Sequence, residues 1–251
     1  MKTPSFRVDG RSALVTGAGR GIGLAAANAL AQAGAEVTLA ARTSRELDRA
    51  CADIVASGGL ARSWVVDVTD SRAVAAGLAE LGPFQILVNN AGMNRPKLLI
   101  DTSDDDIDAV LDLNVKAVLY VSREVIRGLL AKGLPGSLIN ISSQMGHVGG
   151  PKRAVYCATK HAIEGLTKAL AWELGPSNIR VNTICPTFVE TEMTKSMFAN
   201  NAFREYCTSR IALGRLGTLE EIMGAVTFLA SDAAALITGS AMMLDGGWTA
   251  A

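Results

Sequence analysis

Short β-branched segments alternate along this chain with longer segments that are rich in Ala and Leu and have apolar residues at helical spacing. This alternation predicts βαβ units around a parallel sheet, because parallel strands need a crossover connection. Right-handed crossovers then give a doubly wound, three-layer α/β/α sandwich with seven parallel strands. We predict strands at Ser12–Thr16, Glu36–Ala41, Ser63–Asp67, Gln85–Asn89, Ser137–Ser142, Arg180–Ile184 and Ala241–Leu244, and helices at Gly21–Ala33, Ser44–Ser57, Ser71–Leu81, Ser103–Lys132, Val155–Leu174 and Leu219–Ala230.

No linker, repeat or low-complexity tract interrupts this pattern, so we expect one domain over residues 1–251. One segment breaks the rhythm, because about thirty residues separate the sixth strand from the last helix, which is too long for an ordinary connection. We expect residues 187–215 to form an irregular lid. Its apolar residues can close over a substrate or pack against a neighbouring subunit, and they are Met193, Met197, Phe198, Phe203 and Tyr206.

Composition excludes several classes of partner. The 24 basic residues balance the 24 acidic ones, which argues against binding to nucleic acid. Polar residues interrupt every long apolar stretch, and the N-terminus lacks the apolar region of a secretory signal, so we expect a cytoplasmic protein without a membrane span. Neither the two histidines nor the four cysteines have the spacing of a zinc site or a disulfide framework. We therefore predict reduced thiols and no bound metal.

A glycine-rich turn, T-G-A-G-R-G-I-G at residues 16–23, follows the first predicted strand and opens the first helix. Glycines let the backbone approach a pyrophosphate, and the N–H groups at the start of a helix attract its charge. The spacing differs from the commoner G-x-G-x-x-G fingerprint, and a purely structural turn could contain the same glycines. The strand before it and the helix after it favour a dinucleotide site, to which we assign Gly17, Arg20, Gly21, Ile22 and Gly23.

The end of the second strand bears on the choice of cofactor. An NAD site usually has an acid there for the ribose 2′-hydroxyl, but residues 39–43 read L-A-A-R-T. Arg42 and Arg20 can instead bind a 2′-phosphate, although both could simply be solvated. We predict that NADP(H) is preferred, with NAD(H) as the alternative.

Further motifs resemble those of the short-chain dehydrogenase/reductase family, in its single-domain branch, over essentially the whole chain. They are N-N-A-G at residues 89–92, Asn114, Ser143, Y-x-x-x-K at residues 156–160 and L-D-G-G at residues 244–247. The resemblance implies a Rossmann fold, hydride transfer with a nicotinamide cofactor, and a homotetramer. Pairing of its long helices would suit the small residues Ala154, Ala158 and Ala162.

The resemblance also implies cofactor contacts. Asn90, Ala91 and Gly92 would line the adenine ribose, Asp67 with the following Val68 would bind the adenine amino group, and Thr191 would hold the nicotinamide amide. Thr187 replaces the glycine that the family usually has after its proline, which predicts a stiffer start to the lid. Pro186 and Val189 complete the implied cofactor residues.

Tyr156 and Lys160 lie one turn apart on one face of a predicted helix, so they can share a site. We predict that the Lys160 ammonium, helped by an oxidised nicotinamide, lowers the pKa of Tyr156 and makes it the acid/base of the reaction. Ser143, 13 positions before Tyr156, matches the family interval better than Ser142 and would hydrogen-bond the substrate oxygen. By resemblance, Lys160 also binds the nicotinamide ribose.

The resemblance assigns Asn114 to a water that passes protons to solvent. His147, four positions after Ser143, would either contact the substrate or serve only as a loop residue. His161 is expected to face away from the reacting groups, and the acidic run at residues 104–106 is expected to open a helix rather than to bind a cation.

These predictions describe an NADP(H)-dependent oxidoreductase that interconverts a secondary alcohol and a ketone in a small molecule. A 3-oxoacyl-thioester reductase and an enzyme for a sugar or polyol are alternatives. A third alternative is a nucleotide-sensing module without catalysis. The intact Ser143, Tyr156 and Lys160 argue against it.

Overall fold

The computed structural model describes residues 1–191, 194–195 and 198–250. Its sheet has seven strands, every neighbouring pair of strands is parallel, and helices cover both faces. The predicted doubly wound α/β/α sandwich is confirmed. The strands are β1 (Ser12–Thr16), β2 (Glu36–Ala41), β3 (Leu60–Val65), β4 (Ile86–Asn89), β5 (Gly136–Ile141), β6 (Ile179–Pro186) and β7 (Ala241–Leu244).

The strand order is β3-β2-β1-β4-β5-β6-β7, so the winding reverses between β1 and β4. In such sheets the crevice at the carboxyl ends of these two strands is where ligands bind. The α-helices of the described residues are α1 (Gly21–Gln32), α2 (Ser44–Ala56), α3 (Ser71–Leu81), α4 (Asp104–Leu111), α5 (Ala117–Lys132), α6 (Ala154–Leu174), α7 (Asn201–Ser209) and α8 (Leu219–Ala230).

Two hydrophobic cores lie on opposite faces of the sheet, because successive strand residues alternate between them. Leu14 enters the core formed with α3, α5 and α6, whereas Val15 enters the core formed with α1, α2 and α8. Both residues are fully buried. No helix in the described ranges combines the length and apolar character needed to cross a bilayer.

The structure corrects the position of β3, which was predicted at Ser63–Asp67 and lies at Leu60–Val65. This edge strand pairs only with β2, and the last pair in their register is Ala41 with Val65. Since β2 ends there, β3 has no partner beyond that point. Asp67 therefore lies in the loop that follows the strand.

The long helix predicted at Ser103–Lys132 is interrupted. A π-helical turn, Asp112–Lys116, joins α4 to α5 and contains the buried Asn114. Such turns insert an extra residue into a helix and often occur at functional sites. The interruption lies at a residue that the family resemblance had assigned to the site.

The lid, predicted to be irregular, contains the helix α7. Asn200 caps this helix by accepting a hydrogen bond from the Phe203 N–H. Phe188 meets Phe198 and Phe203 edge to face, with ring centroids 5.9 and 5.8 Å apart, and also contacts Trp248. The buried Phe198 thus packs within the lid's own cluster, while Met193 and Met197 lie outside the described residues.

Candidate active site

A cavity of about 460 Å³ lies at the carboxyl ends of the strands, around the point where the winding reverses. This volume falls within the range usual for small-molecule and cofactor sites. Most of the site residues predicted from the sequence line this cavity. They are Gly17, Arg20, Gly21, Ile22, Arg42, Asp67, Val68, Asn90, Ala91, Gly92, Ser143, Tyr156, Lys160, Pro186, Val189 and Thr191.

Three predicted residues, Gly23, Asn114 and His147, are not in this lining. Other lining residues were not assigned from the sequence. They include Glu46, which follows the second strand in the first turn of α2, and Met93 and Asn94, which directly follow the N-N-A-G motif. Position after a strand end is the signal that could have found them.

The glycine turn is shaped for a close backbone approach. Gly17 and Gly21 have φ of 64° and 58°, a region that side chains disfavour. A Cβ at Gly23 would lie 2.3 Å from the Gly17 carbonyl oxygen, so only glycine fits between the turn and α1. Among the described residues, no side chain caps the N-terminus of α1, and its first turn has no acid. The N–H groups there can receive a phosphate.

Two arginines lie at the mouth of the cavity, and each has an acidic neighbour. Arg20 Nη1 is 3.6 Å from Glu46 Oε1, and Arg42 Nη1 is 3.9 Å from Asp67 Oδ2. The side chains of Arg20 and Arg42 are 69% and 72% exposed. Long, exposed ion pairs of this kind contribute little, so both guanidinium groups can engage a ligand phosphate.

Asp67 is fixed by its own loop. Its Oδ1 accepts hydrogen bonds from the N–H and the hydroxyl of Thr69, at 3.0 and 2.7 Å. The Thr69 N–H lowers the pKa of this carboxyl most, and Arg42 lowers it further. An ionised Asp67 with Oδ2 outside these bonds can accept a hydrogen bond from an amino group.

Tyr156 and Lys160 lie one turn apart on α6, beside Ser143 at the end of β5. The buried Lys160 Nζ donates to the Ile141 carbonyl at 2.8 Å and lies 5.6 Å from the centre of the Tyr156 ring. Burial lowers the pKa of Lys160 to about 8. The Ser143 hydroxyl oxygen accepts from the Met145 N–H at 3.1 Å, which orients it.

We predicted that the pKa of Tyr156 is lowered, but the groups of the protein itself raise it. Burial raises the pKa of this phenol and outweighs both the hydrogen bond from Ser143 and the charge of Arg153, which lower it. The phenol therefore carries its proton at neutral pH. That protonation state suits a group that donates a proton to a substrate.

Asn114 supports the site from behind the cavity wall. Its Oδ1 accepts from the Met93 N–H at 2.8 Å, and its Nδ2 donates to the Met93 carbonyl and the Thr159 hydroxyl at 2.9 and 3.1 Å. These bonds tie the segment after β4 to α6. Asn114 thereby positions Gly92, where a Cβ would lie 3.2 Å from its Oδ1 and 3.9 Å from Lys160 Nζ.

The two histidines have different surroundings. His147 lies with Glu164 and Cys185 rather than in the cavity lining, which does not favour the predicted substrate contact. His161 is exposed on α6, and its Nδ1 is 2.9 Å from the Cys157 carbonyl oxygen.

The start of the lid forms the remaining wall. Thr187 N–H donates to the Leu244 carbonyl at 3.1 Å, which ties this segment to β7. The Thr187 hydroxyl oxygen is buried and has no hydrogen-bond partner among the described residues, although it belongs to a residue that lines the cavity. A buried polar atom in this state is ready to bond a polar ligand group. The Thr191 N–H donates a hydrogen bond to the Thr194 hydroxyl oxygen at 2.8 Å.

A Rossmann-type sheet with a Ser-Tyr-Lys group at the far end of its nucleotide cavity defines a class of dinucleotide-dependent oxidoreductases. Comparisons with known proteins narrow this class. Residues 17–249 match a family model described as enoyl-(acyl carrier protein) reductase. The chain belongs to the short-chain dehydrogenase/reductase family, as its motifs predicted.

Several relatives match this chain over almost its whole length. A D-erythrulose reductase from Gallus gallus is 40% identical over 248 residues, which are 98% of each chain. A gluconate 5-dehydrogenase from Gluconobacter oxydans is also 40% identical, over 97% of this chain and 96% of its own. The crystal structure of a gluconate 5-dehydrogenase from Burkholderia cenocepacia, in complex with NADP and tartrate, is 36% identical, has a TM-score of 0.93 and covers 98% of each chain.

Proposed function

We propose that this protein is an NADP(H)-dependent oxidoreductase that interconverts a secondary alcohol and a ketone in a polyhydroxylated small molecule. The observation that carries this proposal is one cavity with a protonated phenol, a serine hydroxyl and a buried lysine at one end and two exposed arginines at the other. The relatives named for erythrulose and gluconate support the substrate class.

The residues present fit a phosphorylated dinucleotide. The N–H groups of the glycine turn would bind its pyrophosphate, and Arg20 and Arg42 its 2′-phosphate. Asp67 and Val68 would hold the adenine, Asn90, Ala91 and Gly92 the adenine ribose, and Lys160 the nicotinamide ribose. The lid residues Pro186, Val189 and Thr191 would border the nicotinamide. When bound, this cofactor supplies or accepts the hydride.

The chain's own residues handle the proton. In the reduction direction, Ser143 donates a hydrogen bond to the carbonyl oxygen of the substrate and holds it beside Tyr156. Tyr156, whose pKa burial raises, gives its proton to that oxygen. The Lys160 ammonium then stabilises the phenolate that is left. Asn114 fixes the backbone next to Lys160 and would hold the water through which the phenolate regains its proton.

The remaining assignments extend this proposal. The protein would act in the cytoplasm as one domain over residues 1–251. Its lid at residues 187–215 would border the substrate. It would assemble as a homotetramer through its long helices. Small residues exposed along α6, together with the 87% exposed Trp172 on the same helix, support such packing; they are Ala154, Ala158 and Ala162.

An absorbance screen at the reduced-nicotinamide band tests the proposed activity. The panel contains polyhydroxy ketones such as erythrulose and keto-gluconates, simple ketones, and 3-oxoacyl thioesters, each with NADPH and with NADH. We expect the highest kcat/KM with a polyhydroxy ketone and NADPH. Turnover restricted to the thioesters would favour the acyl-reductase alternative, and no oxidation of either cofactor would favour a nucleotide-sensing module.

We expect Arg42→Ala to lower kcat/KM for NADPH by about ten- to a hundredfold, because a charge-assisted hydrogen bond is worth about 1.5–3 kcal/mol and each 1.4 kcal/mol is tenfold. The value for NADH should stay the same, since that cofactor has no 2′-phosphate. Arg45→Ala, on the exposed side of α2 and outside the cavity, is the matched control. Equal efficiencies of the unmodified enzyme with NADH and NADPH would refute the preference.

A further inference from the structure

Three donor atoms of different chemistry meet where the turn after β5, helix α6 and strand β6 come together. His147 Nε2 lies 3.5 Å from both Cys185 Sγ and Glu164 Oε1, and Sγ lies 3.3 Å from the same carboxylate oxygen. Each residue comes from a different element, and neither His147 nor Glu164 nor Cys185 has a role in the proposed reaction. We call these residues the His-Glu-Cys cluster.

The spacing of the cluster matches one tetrahedral ion. Zinc binds sulfur at about 2.3 Å, histidine nitrogen at about 2.0–2.1 Å and carboxylate oxygen at about 2.0–2.2 Å. At a tetrahedral angle, these bond lengths place the donor atoms about 3.4–3.6 Å from one another. The observed separations of 3.5, 3.5 and 3.3 Å lie within about 0.3 Å of the ideal values.

We infer that His147, Glu164 and Cys185 bind one Zn²⁺ ion, with the fourth position left to water. Imidazole, carboxylate and thiolate are the three side-chain ligands that zinc takes. A carboxylate and a thiolate together balance the two positive charges of the ion. An octahedral cation such as Mg²⁺ suits the site less, because it prefers oxygen ligands and a larger number of them.

Neighbouring hydroxyls hold the ligands in place. Thr183 Oγ1 donates to the second oxygen of Glu164 at 3.0 Å and lies 3.4 Å from Cys185 Sγ. Partners of this kind orient metal ligands and are worth about 10- to 100-fold in affinity. The Ser142 hydroxyl oxygen is buried and has no hydrogen-bond partner among the described residues. It lies beside the cluster, because a Cβ at Gly146 would be 2.9 Å from this oxygen and 3.2 Å from Glu164 Cγ. The cluster thus has a further polar atom to offer a bound water.

The three ligands of the cluster differ in their exposure to solvent. Glu164 and Cys185 are buried, whereas the side chain of His147 is 30% exposed. Zinc binds cysteine as the thiolate, so the Cys185 thiol must lose its proton when the ion binds. Binding would break its S–H bond, form a Zn–S bond and release one proton to solvent.

Chelator-treated full-length protein is titrated with Co²⁺, which reports its ligands by absorption, and then with Zn²⁺ in competition with a chromophoric chelator. We expect one equivalent per chain, a thiolate-to-Co²⁺ charge-transfer band, its loss when Zn²⁺ displaces Co²⁺, and release of one proton. Cys185→Ser should abolish the band and weaken Zn²⁺ binding by more than 100-fold, and Thr183→Val should weaken it by about 10- to 100-fold.

The chain offers matched controls. His161→Asn removes the other of the two histidines, and Cys157→Ser removes a half-buried cysteine outside the cluster, so neither should change Zn²⁺ binding. Because Cys185 is buried, His147→Asn serves as a second ligand variant at a more exposed position. Zn²⁺ should raise the melting temperature of the unmodified protein but not that of His147→Asn.

Two results would overturn the inference. One is Zn²⁺ binding that is the same in Cys185→Ser, in His147→Asn and in the unmodified protein. The other is a Co²⁺ spectrum without the charge-transfer band, which would mean that the cluster is only a hydrogen-bonded group in which the thiol donates to Glu164. Neither readout depends on turnover, so both are independent of the proposed enzymatic function.

Discussion

Tyr156→Phe is expected to lower kcat for ketone reduction by about 10²–10⁴-fold, the range that general acid catalysis contributes. The substitution removes only the hydroxyl that delivers the proton in the proposed mechanism. The ring, with Lys160 Nζ 5.6 Å from its centre, stays in place. The dissociation constant for NADPH, measured by fluorescence titration, should therefore change little, while single-turnover hydride transfer becomes slow.

The chain contains three tyrosines, which allows a matched control. Tyr120→Phe removes a hydroxyl on α5, outside the cavity lining, and should leave kcat unchanged. A Tyr156→Phe enzyme that keeps more than a small fraction of the original kcat would show that another group protonates the substrate. Loss of NADPH binding in the same variant would instead indicate a structural role for the phenol.

Lys160→Met is expected to lower kcat/KM for reduction by about 100-fold or more, because in the proposed mechanism the ammonium stabilises the phenolate formed in the transition state. The pKa of Lys160 also predicts how kcat/KM of the unmodified enzyme depends on pH. Burial lowers the pKa of Lys160 to about 8, so the lysine is charged below this pH and neutral above it. In the unmodified enzyme kcat/KM for reduction should thus fall as the pH rises through about 8.

The variant should lose this descending limb, since Met has no proton to release. The pKa of Tyr156 is raised above its ordinary value of 10.0, so titration of the phenol affects only a more alkaline range. Lys168→Met, at an exposed position of α6, is the control and should keep the profile of the unmodified enzyme. A limb near pH 8 that persists in Lys160→Met would assign it to a different group.

The parts of the fold that were predicted correctly follow from neighbours in sequence or from the general handedness of crossover connections. The glycine turn, β1 and α1 follow from local spacing, and the Y-x-x-x-K pattern brings Tyr156 and Lys160 to one helix face. Features set by distant partners were missed. The end of β3 depends on where β2 stops, and the π-helical turn contains Asn114, whose bonds to Met93 and Thr159 are long-range.

The His-Glu-Cys cluster was also missed because its residues are distant in sequence. Its members lie 17 and 21 positions apart, so no local metal-binding pattern links them, and the sequence alone led us to predict no metal. The carboxyl end of β6 and the turn after β5 meet only because those two strands are neighbours in the sheet. The position of Glu46 after β2 was a sequence signal, but its closeness to Arg20 depends on how α2 packs.

The aromatic contact between Phe188 and Trp248, at 5.8 Å, joins the beginning of the lid to the last few residues of the chain. The Arg210 guanidinium also lies 5.9 Å from the Trp248 ring, so the residue just after α7 is attached to the same point. An outward swing of α7 must either carry the C-terminal turn with it or separate these rings. We therefore expect any opening of the proposed lid to be mechanically coupled to residues 248–250.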